Sequence, residues 1–121
     1  MPIVDVQLVG KGGKAPDGLA SRLAEALASV FSALPGRVWV RLALLPEAQY
    51  AENGVNAAEA SFPVFVRVLH ADLPSVQVLA TEAEAIAHAF AACLECSSEQ
   101  VHVEYAPAGR GRVAFGGRLL A

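Results

Sequence analysis

The chain is built twice, and that repetition limits its fold more than any other feature. Residues 1–54 can be laid over residues 62–117. Met1-Pro2-Ile3-Val4-Asp5-Val6-Gln7-Leu8 meets Phe62-Pro63-Val64-Phe65-Val66-Arg67-Val68-Leu69 at an offset of 61, whereas Val38-Trp39-Val40 meets Val101-His102-Val103 and Gly54 meets Gly117 at an offset of 63. One two-residue insertion accounts for the difference. Each half reads as strand, helix, strand and a Gly-bearing turn. A strand that returns to the same sheet through a helix runs parallel to its predecessor with a right-handed crossover. Two such units predict an α+β fold: a tandem βαβ duplication forming one four-stranded mixed sheet, with both helices on one face. At 121 residues this is a single domain, 1–121.

Local patterns place the elements. Ile3 to Val9 is rich in β-branched residues and predicts the first strand, closed by Gly10-Lys11-Gly12-Gly13. Pro16-Asp17-Gly18 predicts a helix start with Asp17 as N-cap, and Leu19, Leu23, Leu27, Val30 and Leu34 form one apolar stripe that Pro35-Gly36 ends. Val38 to Leu45 is the second strand, and Ala51 to Ser61 is the linker. In the second half, Val64 to Leu69 is a strand. Thr81 and Glu84 have capping-box spacing, and Leu79, Ile86, Phe90 and Cys93/Leu94 form the helical stripe. Val101 to Tyr105 is the last long strand, and Val113-Ala114-Phe115 before Gly116-Gly117 adds a short terminal one.

Composition bears on what covers the second face of the sheet. Charged residues make up 17% of the chain and hydrophobic residues 55%, against roughly 25% charged in ordinary soluble domains. No apolar run reaches the ~18 residues of a membrane span; Arg41 interrupts Val38 to Leu45, and no basic-then-apolar signal peptide opens the chain. The expectation is a cytoplasmic protein whose helix-free sheet face is buried by other copies in a symmetric homo-oligomer. The net charge of −3 with dispersed basic residues argues against nucleic acid. Cys93 and Cys96 lie near a helix C-terminus, where the dipole disfavours a thiolate, so a redox pair is disfavoured. Two thiols without matching His spacing predict no zinc site. Gly10-Lys11-Gly12-Gly13-Lys14 lacks the ending of a P-loop and reads as a connection. No metal and no cofactor is expected.

Pro2 is the candidate for the chemistry. Removing Met1 turns it into a secondary amine at the start of an apolar strand, a group no internal residue supplies, able to act as base, acid or nucleophile near neutral pH. Together with the βαβ unit and a Val-x-Val strand leading to Pro46-Glu47-x-x-Tyr50 and then Gly54, it resembles the tautomerase superfamily, and the whole chain resembles a fused member of that family, related to 4-oxalocrotonate tautomerase and macrophage migration inhibitory factor. The resemblance implies a homotrimer that isomerises keto–enol or double-bond pairs of a small carboxylate-bearing substrate, with Pro2 as general base. Burial and nearby Arg residues lower the pKa of such an amine, and the same Arg residues hold the substrate carboxylate.

By the same resemblance, Trp39 stands where short members place a substrate-binding Arg, and Arg41, of equal strand parity, is the replacement. His102 and Glu104 occupy positions that line a neighbour's pocket, as hydrogen-bonding acid and imidazolium partner or water-orienting group. Tyr50 forms a pocket wall or proton donor. Arg67 lies on the third strand, where His70-Ala71-Asp72-Leu73 follows without the Arg pair of decarboxylase and dehalogenase members. Ala33-Leu34-Pro35 replaces a lysine found after the first helix in macrophage migration inhibitory factor, and Lys11 or Lys14 stands for the family's early Arg residues. Pro63 is read as the repeat copy of Pro2. The rival reading is a non-enzymatic binding or interaction protein with a degenerate site; thiol redox through Cys93 and Cys96 is a third.

Overall fold

A computed structural model describes residues 1–10, 15–56 and 62–121. The elements run β1 (Ile3–Gly10), α1 (Leu19–Phe31), β2 (Trp39–Pro46), β3 (Val64–Leu69), α2 (Val76–Leu94), β4 (Val101–Tyr105), β5 (Ala114–Phe115) and β6 (Arg118–Leu119). The long sheet has the order β2-β1-β3-β4. Pairing is parallel within each half (β1 with β2, β3 with β4) and antiparallel between them, β1 against β3. The sheet is therefore mixed, as the duplication predicts. β5 and β6 form a separate hairpin. No described helix is long and apolar enough to cross a membrane.

Strand alternation decides the two faces. Val4 and Val6 of β1, and Val64, Val66 and Val68 of β3, turn inward onto Leu19, Leu23 and Leu27 of α1 and Ile86 and Phe90 of α2. Leu23, Leu27, Ile86, Phe90, Val4 and Val68 have no exposed surface, and each such side chain contributes about 1.5–3 kcal/mol of transfer free energy. The opposite face has no helix and exposes Trp39 and Phe65.

The boundaries differ from the local reading in three places. Gly18 rather than Asp17 holds the cap position of α1, because Pro16-Asp17-Gly18 closes as a turn in which the Leu19 N–H reaches the Pro16 carbonyl at 3.2 Å. That helix ends at Phe31 with Ser32 in the left-handed conformation, which throws Leu34 out of the stripe and leaves it 73% exposed. α2 starts at Val76, with the Ser75 hydroxyl accepting from the Val78 N–H; Thr81 and Glu84 are one turn further in, where Thr81 Oγ1 donates to the Gln77 carbonyl. Spacing alone cannot separate a capping box from two polar residues on a continuing helix.

The repeat itself is also refined. The two helix ends correspond at an offset of 63: Ser32 and Glu95 are both left-handed caps, and the Ala33 N–H to Ala28 and Cys96 N–H to Ala91 bonds match. The first strands do not correspond at 61. Ile3 pairs with Trp39 as Phe65 pairs with His102, so β1 and β3 match at an offset of 62. The repeat partner of Pro2 is therefore Val64 and not Pro63. An odd shift exchanges the two faces of a strand; an offset of 61 would set buried Val4 over exposed Phe65, whereas 62 sets it over buried Val66. Gly54 and Gly117 keep their match, both in the left-handed region at φ 78° and 85°.

Candidate active site

Pro2 is buried at the start of β1. Proline suits the first position of a strand because it has no N–H to give to a ladder, and its carbonyl accepts the Trp39 N–H at 3.2 Å. Even-numbered residues of β1 face the helices, so Pro2 points to the helix side, into a cleft of about 460 Å³. The end of α1 supplies one wall with Phe31 and Leu34, and Arg37 follows on the rim; His70 and Glu82 form the other side. Continuing the β1–β3 register one step beyond Ile3 and Leu69 sets Pro2 against His70. In this chain the Pro2 nitrogen carries Met1 as an amide. A methyl at Gly109 would lie 2.7 Å from the Met1 Cε, so the bare glycine leaves room for that side chain.

The polar groups of the cleft are tied together. One oxygen of Glu82 accepts from the Tyr105 hydroxyl at 2.7 Å and lies 2.8 Å from His70 Nε2. An ionised carboxylate only accepts, so Nε2 carries the proton. The His70 and Glu82 side chains are 13% and 14% exposed. The imidazole stacks on Tyr105 at 5.9 Å and meets the Phe31 ring edge-on at 5.4 Å. Its backbone is fixed as well, the carbonyl accepting from the Gly109 N–H at 2.8 Å. Burial, reinforced by the bond to Glu82, pushes the Tyr105 phenol far above its ordinary value, so it is a fixed donor. Arg37 is exposed and its guanidinium makes no ion pair among the described residues.

Of the residues singled out by sequence, Pro2 alone borders this cleft. Trp39, Arg41, Arg67, His102 and Glu104 stand on the helix-free face, because their strand parity is opposite to that of the core valines. There Arg41, Asp5, Arg67 and Glu104 are register partners and form one row of alternating charge across all four strands. Arg41 clasps Asp5 through two bonds of 2.5 and 2.8 Å, which holds its guanidinium proton still more firmly, and Arg67 bonds Glu104. Phe65 lies between Tyr50 and His102 at ring distances of 6.0 and 5.7 Å, and the Tyr50 hydroxyl is bound to Glu52, which raises its pKa. Trp39 packs edge-on against Phe115 at 5.4 Å. This face forms a trough of about 570 Å³, larger than the Pro2 cleft. Size does not make it the better site, because its charges already neutralise one another. Arg41 shares the strand parity of Trp39, as the sequence predicts, and both face away from the Pro2 cleft of their own chain.

The sequence reading gave no site role to His70, Glu82, Tyr105 or Arg37. Two signals were available. Glu82 falls on the apolar stripe between Leu79 and Ile86, and His70 and Tyr105 share inward parity with Val68 and Val103. Arg37 lies beyond Ala33-Leu34-Pro35, so its arrival at the rim depends on the turn after α1, in which the Arg37 N–H bonds Leu34 at 3.1 Å. The residues Lys11 and Lys14, with the rest of Gly10-Lys11-Gly12-Gly13-Lys14 after Gly10, and the last five residues of the linker lie outside the described residues. Cys93 sits in the last turn of α2 and Cys96 just past its cap; both are free, and burial raises the Cys96 pKa, away from the thiolate a redox site needs.

No family model matches the sequence, and no curated protein matches it. Solved structures do. A fused 4-OT solved as a symmetric trimer is 18% identical, covers 98% of this chain and 94% of its own, and has a TM-score of 0.76. Pt0534, solved after inactivation by 2-oxo-3-pentynoate, is 15% identical over 98% of this chain and 94% of its own, with a TM-score of 0.76. A macrophage migration inhibitory factor from Oncomelania hupensis is 17% identical over 99% of this chain and 82% of its own, with a TM-score of 0.73. At these identities the likeness establishes a shared fold over essentially the full chain.

Proposed function

We propose that this chain, which carries the fold of the tautomerase superfamily, belongs to that family as an isomerase: after loss of Met1 its Pro2 nitrogen is the general base in keto–enol or double-bond isomerisation of a small carboxylate-bearing compound. The observation that carries the reading is Pro2 itself, buried at the floor of a cleft with Arg37 at the rim. Desolvation disfavours the ammonium form of such an amine and moves its pKa toward neutrality. A planar guanidinium grips a carboxylate through two parallel hydrogen bonds and stabilises an enolate developing beside it. The fused 4-OT trimer of the same fold supports a homotrimer here, which would bury the trough of Phe65 and the charge row. In that assembly Trp39, Arg41, Tyr50, Arg67, His102 and Glu104 would contribute to substrate binding across subunit boundaries.

Three measurements test the reading. Intact mass of the protein from its native host should lack methionine. The acetylenic keto acid 2-oxo-3-pentynoate, which inactivates Pt0534, should add once to the wild type and not to Pro2→Ala. Turnover of phenylenolpyruvate or 2-hydroxymuconate should fall at least ~100-fold in Pro2→Ala; equal rates in both remove Pro2 from the mechanism. One observation favours the rival reading of a binding protein: Arg41 and Arg67 are both engaged by carboxylates, leaving Arg37 as the guanidinium in the cleft. A native protein that retains methionine decides for it.

A further inference from the structure

The duplication supplies an internal control for every inward-facing side chain. At the offsets the structure sets, 62 for the first strands and 63 for the helices and second strands, His70 corresponds to Leu8, Glu82 to Leu19 and Tyr105 to Leu42. Leu19 is buried in the core of the first half, and Leu8 and Leu42 pack against it. The same architecture is thus built once with three leucines and once with a histidine, a carboxylate and a phenol. Apolar groups of similar size usually serve stability as well as or better than a buried polar set, so packing does not explain the second choice. The difference falls at the one end of the sheet where Pro2 stands, and His70 and Glu82 line its cleft.

The geometry points to His70 as a second proton-transfer group working opposite Pro2, with Glu82 and Tyr105 as its positioning residues; this rests on the reading of Pro2 as base. Glu82 fixes the proton on Nε2, Tyr105 and Phe31 hold the ring plane, and Nδ1 is left as the exchanging atom. For an enol substrate the Pro2 nitrogen takes the O–H proton. The oxygen lone pair forms the C=O bond, and the C=C pair takes the proton from His70 Nδ1–H, forming the new C–H bond. Pro2 ends as ammonium and His70 as neutral imidazole, and both reset by proton exchange with water. The charged or titratable groups around the ring are Glu82 from α2, Tyr105 from β4, Arg37 after α1 and the amine at the start of β1.

The test compares Pro2→Ala, His70→Gln, Glu82→Gln and the triple variant His70→Leu/Glu82→Leu/Tyr105→Leu in the full chain without Met1, with phenylenolpyruvate as substrate. The triple variant restores the first-half pattern and should fold, melting within a few degrees of wild type; its failure to fold makes the cluster structural and overturns the inference. His70→Gln should lower kcat by ~10²–10³ with little change in KM. Glu82→Gln should lower kcat with little change in KM. Nitrogen-15 NMR should show the Nε2–H tautomer whenever the ring is neutral; an Nδ1–H tautomer in wild type overturns the assignment. If Pro2→Ala is inactive and His70→Gln is unchanged, this inference fails and the Pro2 reading stands. If His70→Gln alone is impaired, the Pro2 reading fails and this inference falls with it. No turnover by the wild type overturns both.

Discussion

At the scale of single residues, the molecule separates those that fill space from those that hold protons. Phe90 is fully buried between the helices and the sheet, and Phe90→Ala should cost about 3–5 kcal/mol through lost transfer energy and the cavity left behind, read as a lower urea midpoint. Tyr105 belongs to the second kind. Its hydroxyl donates to a carboxylate at 2.7 Å in a partly buried setting, so Tyr105→Phe should cost about 1.5–3 kcal/mol. Its pH dependence has a definite sign. The folded state holds the phenolic proton more tightly than the unfolded state, because of burial and Glu82. The stabilisation is complete below the unfolded value near 10 and is lost as pH rises toward the folded one. The gap between wild type and Tyr105→Phe in urea should therefore narrow above about pH 10; a constant gap contradicts the assignment.

Among the elements, caps and ties make the sharpest distinctions. Ser75 caps α2 through its side chain, whereas Thr81 lies inside the helix and bonds back to Gln77. Ser75→Ala should cost about 1 kcal/mol, and Thr81→Ala should be neutral or slightly stabilising, because alanine is the better helix former and a back-bonded threonine gives little. A reversed order in thermal melts would return the helix start to Thr81. The C-terminal hairpin is tied down by Arg110, which forks onto Asp72 at 2.8 and 2.7 Å and also reaches the Ala121 carbonyl at 2.7 Å. The bond to Arg110 holds the Asp72 pKa below the usual carboxylate range. Its stabilising effect is present above the unfolded value near 3.9 and disappears as pH falls through the lower folded value. Asp72→Asn should melt a few degrees lower at neutral pH, the effect of an exposed pair being small, and the difference should vanish in strong acid.

For the whole molecule, the central fact is an uncovered sheet face on a chain that is 55% hydrophobic. Trp39 and Phe65 are 52% and 37% exposed there, beside a row of charges that cancel pairwise. Such a face suits burial against copies of itself, because a neutral, self-paired row brings no uncompensated charge into an interface. Sedimentation equilibrium should give a trimer, and Phe65→Asp, which adds an unpaired carboxylate to that face, should shift it to monomer at micromolar concentration. A monomeric wild type removes the trimer and with it any role for Trp39, Arg41, Tyr50, Arg67, His102 and Glu104 in a neighbour's cleft.

The element order, the inward stripes and the helix-sheet layering were legible in the sequence because each follows from local periodicity: two for strands, 3.6 for helices, with Gly and Pro punctuating between them. Val64 to Leu69 and Val101 to Tyr105 were read to the residue, since alternation and turn residues bound them on both sides. Helix ends were not, because a left-handed Ser32 or a Ser75 cap depends on the backbone path rather than on spacing. The pocket was decided by tertiary structure alone. Pro2, Arg37, His70, Glu82 and Tyr105 come from both halves of the chain, and the antiparallel β1–β3 pairing that joins those halves brings them to one end of the sheet. A one-residue slip in that pairing reverses which side chains face the helices. Register, a property of two distant segments together, therefore set the chemistry that no single stretch of this sequence could specify.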